Sequence, residues 1–506
     1  MSPLPPARLR ILVAALLAVS FLGALDHTIV STSLATVAGE LGALEHMSWV
    51  VVGYTLASTV LLPVIGRLGD RLGPRLVFRV SLVTFVIASL ACGFAADFPQ
   101  LVVARVLQGV SSAGLQLMSQ TILASVTTPR ERPRYLGIIG AAFPVAILVG
   151  PVLGGLITDF WGWRWVFWIN VPVGALAFAF AFVAIPHIGP AARRRIDWLG
   201  ALAFTGAMTS LVLAVTWFAD PAARGAATAA LVVAVLLGAA FALIETRIAE
   251  PIITLRLFAN RTIAAGTALS AIIGIGLFSI TAYLPTYFQM AYRTSATVSG
   301  LVPIATVFGM LVSNLVTGWL ASRTGRYRVF PIAGTALAAV GLFVMSLLPV
   351  GVPLWVPMIV MATVGVGTGA FMNLIIAVVQ SAVPRSEIGS ATAAVNLVRQ
   401  VGATVATAII GGIIGASVAA RLPESLDAPT LTPQVVHAAS PALQAEVAMI
   451  YGDVLSPIFL GLALTYVVGI VAALLLPAGR LADHAPADAS IAPLGIDPVP
   501  ARKEPA

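Results

Sequence analysis

Charge is what this sequence has least of. Of its 506 residues, 9% are Asp, Glu, Lys or Arg and 59% are hydrophobic, whereas a water-soluble chain carries roughly 25% charged residues. No soluble fold could hide so much apolar surface, so the solvent around most of this chain is lipid. Lysine is confined to Lys503; every other basic residue is arginine. Cysteine occurs once, as Cys92 in an apolar run. That excludes a disulfide framework and a cysteine metal cluster, and a buried structural thiol is expected. Also absent are a nucleophile elbow, a Walker sequence and any loop cluster of His, Asp and Glu. Those absences set aside a membrane enzyme and an ATP-driven pump. The net charge of +8 comes from arginines scattered singly or in threes between apolar runs, which argues against nucleic-acid binding.

What is present is a series of charge-poor segments of the length that crosses a bilayer, about 20 residues each. They fall at 11–31, 47–66, 77–96, 99–121, 135–158, 165–186, 198–218, 226–244, 262–288, 297–320, 329–348, 354–378, 389–416 and 455–477, fourteen in all. Arg8 and Arg10 ahead of the first apolar run resemble a signal peptide. Asp26 and His27 stand where a small-residue cleavage site would be, so the run is read as a retained first helix. The uncharged interval Val329–Pro384 is split at Leu348–Pro353, where prolines and a glycine break it. An even count puts both termini on one side. With that side in the cytoplasm, most basic residues, the Arg193–Arg195 triplet included, fall inside, and acids such as Glu40, Asp97 and Asp159 fall outside. The segment 418–453 becomes a long outer loop in which Ser440–Tyr451 is expected to form a surface helix. The tail 481–506 is expected to be disordered.

One pattern occurs twice. Gly66-x-Leu68-x-x-Arg71-x-Gly73 follows the second span, and Gly318-x-Leu320-x-x-Arg323-x-Gly325 follows the tenth. Both lie in loops on the cytoplasmic side, which implies parallel repeats about an axis normal to the membrane. The expected architecture is all-α: a six-helix bundle over 1–190, two inserted helices over 191–260, and a second six-helix bundle over 261–480.

With these motifs the sequence resembles the major facilitator superfamily, and within it the 14-helix drug:proton antiporter family. Gly66, Asp70, Arg71, Gly73 and Arg75 match the superfamily's cytoplasmic loop motif, with Pro74 at a usually basic position. Leu25-Asp26-x-Thr28-Ile29-Val30 resembles a signature of the 14-helix exporters, and Arg105-x-x-Gln108-Gly109 the motif tied to proton coupling. Gly150-Pro151-x-x-Gly154-Gly155 resembles the antiporter motif, with Ala146 at its usual first glycine; Trp163-Arg164-Trp165-x-Phe167-x-x-Asn170-x-Pro172 is similarly typical. The resemblance implies alternating-access export driven by the proton motive force, without a cofactor.

Asp26 lies deep in the first helix, where a charge costs on the order of 3 kcal/mol and must face a cavity or a partner. A carboxylate neutral in one state and charged in another suits proton exchange, and Arg105, always charged, is its expected partner. Asp70 is expected to meet a helix N-terminus across the seam between the halves, with Arg71, Arg75 and Arg323 completing a cytoplasmic gate. Gly150, Pro151, Gly154 and Gly155 form a small-residue face for close helix approach, with a kink at Pro151. Trp161, Trp163 and Trp165 read as an interfacial belt. Trp49, Tyr54, Gln108, Phe143, Tyr287, Gln289, Asn314, Phe371 and Asn396 are the candidates to line a substrate cavity. The expected activity is proton-coupled export of amphiphilic or cationic drugs, conferring antibiotic resistance, by a monomer in a bacterial inner membrane. Export of a lipid or a self-made metabolite is the alternative cargo.

Overall fold

The computed structural model describes residues 5–43, 46–47, 49–186, 197–218, 223–248, 255–422 and 433–482. The Arg193–Arg195 triplet and the tail beyond Ala482 lie outside these residues. Fourteen spans follow in chain order. α1 is Pro6–Glu40; α2 is a pair of arms, Trp49–Val60 and Leu62–Leu72, bent by 47°; α3 is Pro74–Phe94 and α4 is Phe98–Val126. α5 joins Arg132–Gly140 to Ala142–Trp161, and α6 joins Arg164–Trp168 to Asn170–Ala184. α7 (Trp198–Trp217) and α8 (Arg224–Arg247) come next. α9 runs through Arg261–Ile273, a π-turn at Gly274–Phe278, and Ser279–Ala291. The remainder are α10 (Ala296–Thr324), α11 (Val329–Leu347), α12 (Trp355–Ser381), α13 (Ile388–Ala419) and α14 (Pro441–Leu475). Thirteen are long and apolar enough singly to cross a membrane, and the bent pair makes the fourteenth.

In lipid every backbone N–H and C=O must be satisfied within the segment, which is why apolar sequence of this length becomes helix. Several helix starts are capped by a side chain: Asp97 accepts from Gln100 N at 2.8 Å, Asp197 from Gly200 N at 2.8 Å and Asn260 from Thr262 N at 2.9 Å. Large apolar side chains such as Phe160, Val183, Leu202 and Val235 are exposed around the outside, as a surface solvated by acyl chains requires.

α1–α6 and α9–α14 form two bundles. Two pairs make the main contacts between them: the second arm of α2 packs on α13, and the first arm of α5 packs on α10. If the halves repeat with two helices inserted, α10 corresponds to α2 and α13 to α5. The two seams are then the same contact made twice. The inserted α7 packs on α8 and also touches α2 and α13, and α8 is the least buried span.

Three expectations change. The repeated motif is mostly helix, not loop: the second arm of α2 runs to Leu72 and α10 to Thr324. Each ends at the motif's last glycine, Gly73 at φ 89° and Gly325 at φ 70°, a backbone region open to glycine. Ser440–Tyr451 is not a surface helix; from Pro441 onward it is the first part of α14, and only Pro433–Ala438 forms a separate short helix. In addition, α5 is interrupted at Ala141, and its second arm stays helical through Pro151. Trp163 is 1% exposed and donates to Glu40 Oε2 at 2.8 Å, so it is a buried tether, whereas Trp161 (66%) and Trp165 (49%) do face outward.

Candidate functional site

Asp26 sits at mid-length of α1 with no exposed surface. Its carboxylate accepts three hydrogen bonds: Oδ2 from Arg105 Nη1 at 2.7 Å, and Oδ1 from Gln108 Nε2 at 2.8 Å and Asn170 Nδ2 at 2.7 Å. Arg105 and Gln108 are one turn apart on α4, which puts both on one face, and Arg105 Nη1 also donates to Gln108 Oε1 at 2.8 Å. Ser89 Oγ of α3 accepts from Gln108 at 3.1 Å and Asn170 at 2.9 Å, and donates to the Phe167 carbonyl at 2.8 Å. Cys92, one turn along α3, points its thiol at Gln108 Oε1, 3.5 Å away. Arg105 Nε donates to the Val50 carbonyl at 3.2 Å, and the guanidinium lies 4.3 Å over the Tyr54 ring. Tyr54 in turn donates to Ser112 Oγ at 2.7 Å. Five helices therefore hold one ion pair out of water. Such a pair is neutral overall, and removing one partner strands the other charge.

α5 lies directly against α1 beside this pair. A Cβ at Gly150 would collide with Thr28 Oγ1, and one at Gly154 would stand 2.6 Å from the Ile29 carbonyl. Thr28 Oγ1 donates across to the Ala146 carbonyl at 3.1 Å, and Ser33 shares a 2.8 Å hydrogen bond with Thr158. Gly155 faces open space and Pro151 is exposed, so only half of the expected small-residue face is a contact.

The halves meet most extensively at the end that carries Arg71, Arg75, Arg130 and Arg323, the basic end. Asp70 receives the Gly389 N–H at 3.1 Å, the Ser390 N–H at 3.0 Å and the Ser390 hydroxyl at 2.6 Å. It satisfies the otherwise open donors in the first turn of α13. A Cβ at Gly66 would stand 2.8 Å from Ala393 Cβ, and one at Gly318 would stand 2.6 Å from the Pro133 carbonyl. The first glycine of each repeat copy thus permits backbone contact with the opposite half. Arg130 donates to the carbonyls of Ser322 at 3.1 Å and Arg323 at 3.0 Å. Further in, Asn396 Nδ2 donates to Gln120 Oε1 at 2.8 Å and Gln380 Nε2 to the Gln120 carbonyl at 3.3 Å. Thr59 donates to Gln400 at mid-height. Beyond Gly402 α13 is mostly half-buried. The bundle is closed at its basic end, where these hydrogen bonds lie.

The sequence profile of the Major Facilitator Superfamily matches residues 16–407. The chain belongs to that superfamily. An uncharacterized MFS-type transporter of Mycobacterium tuberculosis is 35% identical over 497 residues, covering 96% of this chain and 72% of that protein. The multidrug transporter protein MdtP of Bacillus subtilis is 29% identical over 408 residues, covering 80% and 75%. The crystal structure of the human organic anion transporter MFSD10 (TETRAN) superposes with a TM-score of 0.62 at 14% identity, over 93% of this chain and all of that one; it shares the fold.

In this superfamily member the proposed cavity residues divide. Gln108 and Tyr54 belong to the Asp26 network. Phe143 stacks on Phe278 of the opposite half, ring centroids 6.1 Å apart. Asn314 donates to the Gly137 carbonyl at 3.0 Å and accepts from Asn373 at 3.1 Å, and Asn396 bonds Gln120, so both are seam residues. Tyr287 and Phe371 are buried within the second bundle. Trp49 lies with His46 and Phe98 in a shallow cleft at the far end, and the Gln289 carbonyl faces His437, also away from the Asp26 network. Arg71 is exposed and Arg75 half-buried. Ser89 and Asn170 were not among the sequence's candidates. Asn170 stands within the Trp163–Pro172 motif, a signal that was available. Ser89 had none beyond its one-turn spacing from Cys92. Among the described residues no group of His, Cys, Asp and Glu could hold a metal ion.

Proposed function

We propose that this transporter exports amphiphilic molecules in exchange for protons, with the basic end facing the cytoplasm of a bacterial cell. What carries the reading is the Asp26 carboxylate: wholly buried, ion-paired to Arg105 and held by two amides. In this reading the closed basic end makes this the conformer that takes its proton from the outside. A proton arriving from there neutralises Asp26 and removes the attraction that holds Arg105. The two amides can rotate to accept the acid O–H in place of donating to a carboxylate. α1 then rearranges against α5, whose Gly150 and Gly154 it touches, and α5 carries the movement to α10 through Gly137 and Asn314. Breaking the Asp70–α13 seam opens the basic end, where cargo enters and the proton leaves. The similarity to MdtP supports a drug-like cargo.

The test uses the purified chain in liposomes with an imposed pH gradient and a lipophilic fluorescent amphiphile, for wild type and Asp26→Asn. Wild type is expected to move the amphiphile against the proton flow and dissipate the gradient, and the variant to do neither. A variant that still couples the two would remove Asp26 from the mechanism.

A further inference from the structure

Arg399, on α13, is a buried cation that the Asp26 machinery does not use. It is 5% exposed. Its Nη2 donates to Asn396 Oδ1 at 2.5 Å, and its Nη1 is buried with no hydrogen-bond partner. The carboxylates nearest the interior are already engaged: Asp26 by Arg105, and Asp70 by the first turn of α13. A guanidinium taken out of water carries a large desolvation cost that one amide oxygen does not offset.

Its surroundings show when that cost is relieved. Asn396, one turn before Arg399, spends its amide on Gln120 of α4 in the opposite half. Gln400, the next residue, accepts from Thr59 of α2. On its other side the Arg399 backbone presses on the π-turn of α9, where a Cβ at Gly274 would collide with the Arg399 carbonyl. Arg399 therefore lies between α4 and α9, under the hydrogen bonds that close the basic end. Separating the halves there breaks the Asn396–Gln120 and Asp70–Ser390 contacts and uncovers the guanidinium. Because Asp26 and Arg105 cancel, Arg399 leaves the middle of the bundle with one net positive charge.

We propose that Arg399 binds an anionic group on the transported amphiphile, a carboxylate, sulfonate or phosphate, when the basic end is open. A planar guanidinium released from Asn396 matches such groups bidentately. The aliphatic and aromatic remainder of the cargo meets Phe143 and Phe278. Closure returns Arg399 to Asn396 and removes the anion's access, so affinity falls in the state that releases cargo, as directional export requires. This rests on the export reading above and narrows its cargo from amphiphiles in general to anionic ones.

The test uses the full chain in phosphatidylcholine liposomes with an imposed pH gradient and the membrane potential clamped. Two permanently charged probes share one body: dansylamino-undecyl sulfonate and dansylamino-undecyl trimethylammonium. Wild type is expected to move the sulfonate about tenfold faster or more, the scale of a hydrogen bond to a charged group. Arg399→Gln is expected to slow the sulfonate at least about tenfold without slowing the trimethylammonium probe, so that the preference disappears or reverses, and Arg399→Lys to keep part of it. Wild type preferring the trimethylammonium probe overturns the proposal, and this holds even if Arg399→Gln fails to fold. So does a folded Arg399→Gln, with an unchanged unfolding midpoint, that slows both probes alike. Added phosphatidylglycerol that competes with the sulfonate assigns the site to a lipid headgroup, and no competition assigns it to a free anion. Proton movement is recorded in the same vesicles. Arg399-dependent sulfonate transport without proton movement overturns the antiport reading alone, whereas proton-coupled transport of only the cation overturns the Arg399 assignment alone.

Discussion

Asp70 and Ser390 belong to opposite halves of the protein, yet the Asp70 carboxylate accepts both the backbone N–H and the hydroxyl of Ser390, at 3.0 and 2.6 Å. The carboxylate caps a helix to which it has no chain connection nearby. Replacing it with Asn leaves one acceptor oxygen and removes the charge that favours a helix N-terminus. Hydrogen bonds to charged groups contribute about 1.5–3 kcal/mol each, so Asp70→Asn should weaken closure of the basic end by at least about tenfold. Hydrogen exchange read on the peptide covering Gly389 and Ser390 should be faster than in wild type. Unchanged protection would mean that the seam is held elsewhere.

Gly66 allows this contact to form. Gly66→Ala places a Cβ 2.8 Å from Ala393 Cβ and 3.0 Å from the Gly389 carbonyl oxygen, where backbone must move to make room. Overpacking of this kind costs about 1–3 kcal/mol. The same peptide should exchange faster in Gly66→Ala, with Asp70 intact, and transport should slow. Wild-type exchange in this variant would show that the helices tolerate a wider spacing.

The Asp26–Arg105 pair predicts a pattern of stabilities. Breaking a buried pair by removing one partner costs about 3–5 kcal/mol, because the other charge is stranded. Arg105→Gln and Asp26→Asn should each lower the unfolding midpoint in detergent, and the double variant should recover a large part of the loss. Additive losses would argue that the two residues are not coupled.

Gly150 and Gly155 offer a matched control on one helix. A methyl at Gly150 meets Thr28, whereas one at Gly155 meets nothing within 4 Å. Gly150→Ala should destabilise by about 1–3 kcal/mol and impair coupling. Gly155→Ala should leave stability unchanged or raise it by up to about 1 kcal/mol, the usual helix preference for alanine. Thermal unfolding and proton-linked transport of both variants check the pair.

The sequence made Asp26 legible because a lone acid between apolar runs stands out against its neighbours. Arg105 and Gln108 followed from the resemblance of Arg105-x-x-Gln108-Gly109 to the family motif tied to proton coupling. Ser89 and Asn170 did not follow, since a hydroxyl and an amide are ordinary in a membrane helix until their neighbours are known. The start of α14 was misread for a different reason. Glu446 and Asp453 lower the hydropathy of 441–454, and hydropathy reports the solvent of a segment, not whether it is helical. Likewise the arginines after Gly66 suggested a loop, although helix continues to Leu72 and stops where Gly73 takes a positive φ. Tyr287 and Phe371 show the same limit: an aromatic in a span can face cargo, lipid or core, and spacing along one helix does not choose among them.

By itself the sequence determined the lipid solvent and the apolar helices that cross it. Each of these is a property of a local segment: whether it can leave water, and whether it satisfies its own backbone. Tertiary structure decided which polar groups meet, which end is closed, and that Arg399 is buried without an acid. Those depend on contacts between residues far apart in the chain, such as Asp70 with Ser390, where tenths of an ångström of helix approach set whether a hydrogen bond exists.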